Sequence, residues 1–331
     1  LRLLWQCASG DRELTAARLP GTGRRSIWLP MQLPIVHHPD YDAKFAADHR
    51  FPMGKYGRLM EVLEETGIAE RGSIFRPQPA DPDLLSLAHA PGYVEQVIAC
   101  EVPHAVEREI GFPVDERVSR RARLATAGTL LAAELALEYG IACNGAGGSH
   151  HARRGGGAGF CTFNDVAVAA SALLDRRQVG RILVVDLDVH QGDGTAEILM
   201  GEGRVMTFSM HAEKNYPVRK VPSGLDIGLE DAMGDDAYLD RLDEALGALA
   251  AGTTPDLVFY NAGVDPHEDD RLGRLSLSDD GLRRRDRAVI GHFRERGIPL
   301  CGVIGGGYSR DVDALARRHA IMFAEARDYL R

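Results

Sequence analysis

Cysteine is scarce in this chain and nowhere paired by spacing. Five of 331 residues are cysteines (Cys7, Cys100, Cys143, Cys161 and Cys301), an odd number with no C-x-x-C element. This argues against a disulfide framework and a thiolate metal site, and fits a reducing, cytoplasmic setting. Runs of positive charge are missing too. The net charge is −9, and Arg24-Arg25, Arg153-Arg154 and Arg283-Arg284-Arg285 are too short to track a phosphate backbone. Each reads as solvated surface, so no nucleic-acid partner is expected. Nor does any apolar run approach the ~20 residues of a membrane span, so no membrane partner is expected. The N-terminal stretch, interrupted by Gln6, Asp11, Arg12 and Glu13, lacks the continuous apolar region of a secretory signal.

What is present is an ordinary globular balance, 44% hydrophobic and 26% charged. Residues 1–30 are basic and loop-like and stop just before Met31. They are expected to be an extension, poorly ordered or non-native, with Met31 the true start. Residues 31–331 show no repeat, low-complexity tract or linker and are expected to form a single domain. Short apolar runs alternate there with helical patterns, which is the signature of an α/β domain with a parallel sheet. Strands are expected at 33–36, 141–143, 182–186, 205–209, 257–260 and 300–304. Tyr56, Leu59, Met60 and Leu63 form a helical stripe that stops at Gly67. Further helices are expected at 120–139, 166–176, 237–250, 279–296 and 312–330.

Four of these strands run into glycines and polar, catalysis-capable residues: Ile141-Ala-Cys-Asn-Gly-Ala-Gly-Gly-Ser-His-His151, Ile182-Leu-Val-Val-Asp-Leu-Asp-Val-His190, Leu257-Val-Phe-Tyr-Asn-Ala-Gly-Val-Asp265 and Leu300-Cys-Gly-Val-Ile-Gly-Gly-Gly-Tyr308. Ligands of open parallel sheets bind beyond the carboxyl ends of the strands, so the four endings are expected to share one pocket.

In an extended chain Asp186, Asp188 and His190 point to one side. Neighbouring buried carboxylates require a cation or a proton between them. Asp265, after its strand and a small turn, reaches the same place. Asp188, His190 and Asp265 then make three ligands and leave a position open for water, as in a catalytic zinc site. Asp269 and Asp270 are rival ligands but read as solvated or structural, and His267 as a rim residue. His150-His151 follows Gly147-Gly148. A histidine there is placed to act as general base and then acid, with Asp186 and Asp193 available to fix its tautomer. His37-His38, before Pro39, shows no acid partner and is left at the rim.

Tyr308 sits on a glycine turn, free to donate to an oxyanion; its segment lacks the lysine and spacing of a phosphate loop. Gly155-Gly-Gly-Ala-Gly159 lacks the placement of a dinucleotide fingerprint and reads as a flexible part of the pocket wall. Phe160 and Tyr216 are candidate aromatic walls for a slim, apolar ligand stem.

At these residues the chain resembles the histone deacetylase superfamily, including its acetylpolyamine and acetoin-utilisation relatives. The matching segments are Gly147-Gly-Ser-His-His-Ala152, Gly159-Phe-Cys-Thr-Phe-Asn-Asp165, Asp186-Leu-Asp-Val-His-Gln-Gly-Asp-Gly194, Asn261-Ala-Gly-Val-Asp265 with Asp270-Arg-Leu-Gly273, and Gly305-Gly-Gly-Tyr308. Within the superfamily it is most similar to class IV enzymes and their bacterial relatives, on Gly54-Lys-Tyr-Gly57, Ile110-Gly-Phe-Pro113, Gly128-Thr129, Tyr260-Asn-Ala-Gly263 and Asn215-Tyr-Pro-Val-Arg-Lys220.

The resemblance implies a three-layer αβα fold of arginase/deacetylase type, with a mainly parallel central sheet. It implies zinc, or ferrous iron, on Asp188, His190 and Asp265. His151 becomes the proton shuttle paired with Asp193, His150 an electrostatic partner paired with Asp186, and Tyr308 the group that polarises the acyl carbonyl. Phe160, Tyr216, Leu272, Gly159 and Gly306 would line the substrate tunnel. A structural potassium would be held by Asp186, Asp188, His190, Ser209 and Met210. The implied activity is hydrolysis of the amide of an N-acylated amine, acyl-lysine in a peptide or protein before an acetylpolyamine or other small amine. A dimetal ureohydrolase of the same fold would need more bridging acids and histidines.

Overall fold

The structure, a computed structural model, describes residues 32–330 except 47, 71 and 251. The expected extension over 1–30 and the start at Met31 therefore lie outside the described residues, as do Cys7 and Arg24-Arg25.

Eight parallel strands form the sheet: β1 (Ile35–Val36), β2 (Ile74–Phe75), β3 (Ile141–Asn144), β4 (Ile182–Asp186), β5 (Val205–Ala212), β6 (Leu225–Leu229), β7 (Leu257–Asn261) and β8 (Leu300–Val303), in the order β2-β1-β3-β8-β7-β4-β5-β6. All six expected strands are there, with ends shifted by a few residues. Sequence pattern missed β2 and β6, the two edges. A two-residue strand has no measurable period, and Leu225-Asp-Ile-Gly-Leu229, paired on one side only, alternates too weakly to declare itself.

Buried side chains split by parity between the two faces of the sheet, as strand geometry requires. Ile182, Val184, Leu257, Phe259, Cys301 and Val303 join one apolar cluster with the helices α5 (Glu116–Tyr139) and α6 (Asp165–Asp175). Leu183, Val185, Val258, Tyr260 and Leu300 join the other. Its helices include α1 (Lys55–Glu65), α8 (Asp235–Ala250), α9 (Asp279–Arg294) and α10 (Val312–Arg327). The result is the three-layer αβα architecture.

Helix ends follow their caps. The helix expected from 120 begins at Glu116, because Asp115 accepts from the Val118 N–H, and it ends at Gly140 with φ of 87°. Short helices escaped the pattern: α2 (Pro82–Ser86), α3 (Pro91–Ala99), α4 (His104–Ile110) and α7 (Asp193–Leu199). One charge run also differs from expectation. Arg283 and Arg284 are exposed, but Arg285 is fully buried and paired with Asp286 at 2.8 Å. It is third in the run but on the inward side of α9.

Candidate active site

Strands β3, β4, β7 and β8 lie in the centre of the sheet, and their carboxyl ends deliver the expected residues to one place. After β4 the chain carries Asp188 and His190; after β7 it carries Asp265. One donor atom from each lies within 4.8 Å of the others, the one such convergent group of histidine, cysteine and acidic residues among the described residues. His190 Nδ1 is 3.0 Å from Asp188 Oδ1 and 3.1 Å from Asp265 Oδ2. The other oxygen of each carboxylate is taken by backbone: Gly306 N–H donates to Asp188 Oδ2 at 2.7 Å and Val189 N–H to Asp265 Oδ1 at 2.8 Å. All three residues are buried.

The metal-free cluster is electrostatically strained. Burial and the Asp188 charge push Asp265 up to about 7. Burial acts to lower His190, but its hydrogen bonds with Asp188 and Asp265 prevail and hold it near 10. Two buried carboxylates facing one ring nitrogen, with their outer oxygens already bonded, are a donor set that suits a divalent metal. A side chain at Gly306 would strike both carboxylates, so only glycine fits there.

The histidine pair divides its partners. His150 Nδ1 is 2.7 Å from Asp186 Oδ2, and His150 Nε2 is 3.7 Å from Asp188 Oδ1. His151 Nδ1 is 2.6 Å from Asp193 Oδ1. Burial opposes charge on His150, yet Asp186 and Asp188 lift it to about 9; burial and the neighbouring His150 hold His151 down near 3. His151 is thus the neutral imidazole of the pair. It is also the one that lines a cavity of about 260 Å³, with His190, Tyr308, Phe160, Tyr216, Leu272, Gly159, Asn215, Arg50 and Glu109.

Tyr308 stands 6.1 Å from His190 between ring centroids and 5.6 Å from Phe160. Its backbone is fixed by Asp270, whose Oδ2 accepts from the Tyr308 N–H at 2.7 Å. Tyr216, 4.8 Å from His151, forms the opposite wall.

Several expectations change. Gly306 underlies the carboxylates of Asp188 and Asp265. His267 is not on the rim but buried, with Nε2 3.2 Å from Asp279 Oδ1. His37 and His38 do not reach the cavity. His37 packs on Tyr41, and His38 Nδ1 accepts from the Asp40 N–H and lies 3.7 Å from that carboxylate, an acid partner two residues away. Arg153 is more than solvated surface, because it holds Asp193 Oδ2 at 3.0 Å. Gly155–Gly159 is tied by bridges pairing Arg153 with Gly156 and Ala158 with Cys161, rather than left loose. Asp269 pairs with Arg318 and takes no part in the cluster. Asp186 and Ser209 face each other across β4 and β5.

Pattern missed the supports. Asp165 accepts from Gly148 N–H, Ser149 N–H and Thr129 Oγ1, fixing the turn before the histidine pair. Arg285 Nη1 donates to Gly263 O at 2.6 Å and Leu187 O at 3.3 Å, tying the segment before Asp265 to the one before Asp188.

Comparison with known proteins gives the family and the fold. The histone deacetylase domain matches residues 49–325. An uncharacterized protein of Picosynechococcus sp. is 45% identical over 298 residues, covering 90% of this chain and 99% of that one. Histone deacetylase 2 of Arabidopsis thaliana is 33% identical, covering 83% and 74%. A crystal structure of a histone deacetylase homologue from Aquifex aeolicus shares the fold, with TM-score 0.77 at 24% identity over 90% of this chain and 84% of that one. No helix among the described residues is long and apolar enough to cross a membrane. The chain belongs to the histone deacetylase family of metal-dependent amidohydrolases.

Proposed function

We propose that this chain is a zinc-dependent deacylase that hydrolyses the amide of an N-acylated amine, with acyl-lysine as the leading substrate class. One observation carries the reading: His151, backed by Asp193, shares a single cavity with Tyr308 and the metal-type cluster at His190. A dication held by Asp188, His190 and Asp265 supplies Lewis-acid activation of water and of the acyl carbonyl; ferrous iron meets the same donor set. A structural potassium belongs to the reading at Asp186, Asp188, His190, Ser209 and Met210, and the setting is cytoplasmic.

The side chains act as follows. Asp193 holds the proton of His151 on Nδ1, leaving Nε2 as the base toward the cavity. His151 takes a proton as the water oxygen adds to the acyl carbon. Tyr308, whose hydroxyl makes no hydrogen bond among the described residues, donates to the developing oxyanion. His151 returns the proton to the nitrogen as the C–N bond breaks. His150, kept charged by Asp186, adds positive potential behind this step.

An acylated polyamine is a second reading, favoured by the Glu109 carboxylate on the cavity wall. The test is a panel of acetyl-, octanoyl- and myristoyl-lysine substrates beside acetylated polyamines, with metal measured on the purified protein. Absence of amide hydrolysis at full metal loading sinks the proposal.

A further inference from the structure

Among the described residues, two charged side chains on the catalytic cavity have no counter-ion. Arg50 and Glu109 both line it, and both are exposed. Some exposed charges elsewhere are matched, Arg58 with Glu65 and Asp313, Arg204 with Glu202, and Arg274 with Asp231; what sets Arg50 and Glu109 apart is that both unmatched charges face the catalytic cavity. Among the described residues neither Arg50 nor Glu109 makes an ion pair or a side-chain hydrogen bond, with one another or with any other group. Glu109 is held firmly on its backbone, since its carbonyl accepts from the Gly159 N–H at 2.9 Å, beside the Phe160 wall.

The same cavity carries a third unmet group. Asn215 Nδ2 is fixed on Leu272 O at 2.7 Å, while its buried Oδ1 has no donor among the described residues. Buried polar atoms are nearly always bonded, so an unmet acceptor in a residue of the cavity wall is unusual.

A ligand that satisfies both charges must itself carry both. An acyl-lysine inside a peptide offers neither at its α-carbon, and an acylpolyamine offers only a cation. A free amino acid offers an α-carboxylate and an α-ammonium on one carbon. A guanidinium suits the first and a carboxylate the second. The volume of about 260 Å³ lies just below the usual range of small-molecule sites, roughly 300–1,000 Å³, which favours a small ligand.

We propose that the substrate is a free Nε-acyl-lysine or a close homologue in its zwitterionic form. Arg50 holds the carboxylate and Glu109 the ammonium, and the alkyl stem runs between Phe160, Tyr216 and Leu272 to His151 and Tyr308. This rests on the deacylase reading and narrows it. Water supplies its oxygen to the acyl carbon, the bond to Nε breaks, and a water proton reaches the departing amine, giving a carboxylate and free lysine.

Four matched compounds test it on the zinc-loaded protein, each made with acetyl and with octanoyl groups. They are Nε-acyl-lysine; the 6-acylaminohexanoate, which lacks the ammonium; the N-acylcadaverine, which lacks the carboxylate; and Nε-acyl-lysine blocked at both α groups. Expected kcat/KM for the free amino acid exceeds each singly charged analogue by about tenfold or more, and the blocked compound by more again. Glu109→Gln should bring the amino acid and the hexanoate to similar values, and Arg50→Gln should do so for the amino acid and the cadaverine. Wild-type enzyme that cleaves the blocked compound as well as the free one overturns the assignment and leaves the deacylase reading standing. So do variants that keep the discrimination. If none of the four is cleaved, this assignment falls, and the deacylase reading falls with it when the wider acyl-lysine and polyamine panel is also left intact.

Discussion

The ammonium of Lys55, fully buried at the start of α1, donates to the carbonyl of Gly305 at 3.2 Å. That bond joins the N-terminal part of the domain to the turn that presents Tyr308. Two further bonds hold the same turn: Gly306 N–H to Asp188 and Tyr308 N–H to Asp270. Lys55 is therefore a positioning residue for the phenol.

Replacing Lys55 by Met removes one of the side-chain restraints on a turn that backbone bonds to Gly147, Val264 and Arg271 also hold. The expected result is a fall in kcat with metal content retained, and destabilisation of about 1–3 kcal/mol. Burial holds Lys55 down to about 8 from its ordinary 10.5. The unfolded chain keeps this proton to higher pH than the folded one. The contribution of Lys55 to folding therefore becomes more favourable as pH rises from about 8 toward 10.5. In denaturation of the metal-stripped protein, stability should change more positively with pH across that window in wild type than in Lys55→Met, because the raised His150 and His190 pull downward equally in both. Equal slopes would place the ammonium elsewhere.

Strands and first-line site residues were legible because their signal is local. Asp186-Leu-Asp-Val-His190 reveals its facing side through strand alternation, and the glycine-rich strand endings mark the mouth of a parallel sheet. The supports were not legible because their signal is three-dimensional. Lys55 reaches Gly305 across 250 positions, and nothing near either residue announces the other. Arg285 was hidden in a run of three arginines whose first two members are solvated. Arg50 and Glu109 come from a loop and a short helix, neither with a period. His267 was placed on the rim for its proximity to Asp265, but its loop turns the ring toward Asp279.

Tyr308→Phe keeps the ring packed on Phe160 and Phe51 and removes the single hydroxyl. Turnover should drop on the order of 10²–10³-fold, with KM and metal content close to wild type. Near-full turnover would remove the phenol from the reaction.

Metal removal should destabilise the fold and take up a proton. With no metal, His190 near 10 keeps its proton at neutral pH between two carboxylates. Binding must displace it, so above about pH 7 affinity should weaken about tenfold per unit of falling pH, and more steeply below it as Asp265 also takes up a proton. Calorimetry in buffers of different ionisation enthalpy reads this release directly. Saturating zinc at about 1,000 times its Kd should add about 4 kcal/mol to stability, visible as a Tm higher by several degrees. Asp265→Asn should lose both effects.

Asp193 tests the proton shuttle without touching the metal-type cluster. Its Oδ1 lies 2.6 Å from His151 Nδ1, and Arg153 holds its Oδ2 at 3.0 Å, so the carboxylate is fixed from both sides. It accepts a hydrogen bond and thereby keeps the imidazole proton on Nδ1. Asparagine of the same shape is able to turn its NH₂ toward the ring, which moves the proton to Nε2 and removes the base from the cavity. Asp193→Asn should cut kcat on the order of 10²–10⁴-fold while leaving metal content and thermal stability near wild type. Arg153→Gln, which loosens the carboxylate without removing it, should cost much less. A loss confined to KM in Asp193→Asn would instead make His151 a substrate contact, and the proton would have to travel through His150.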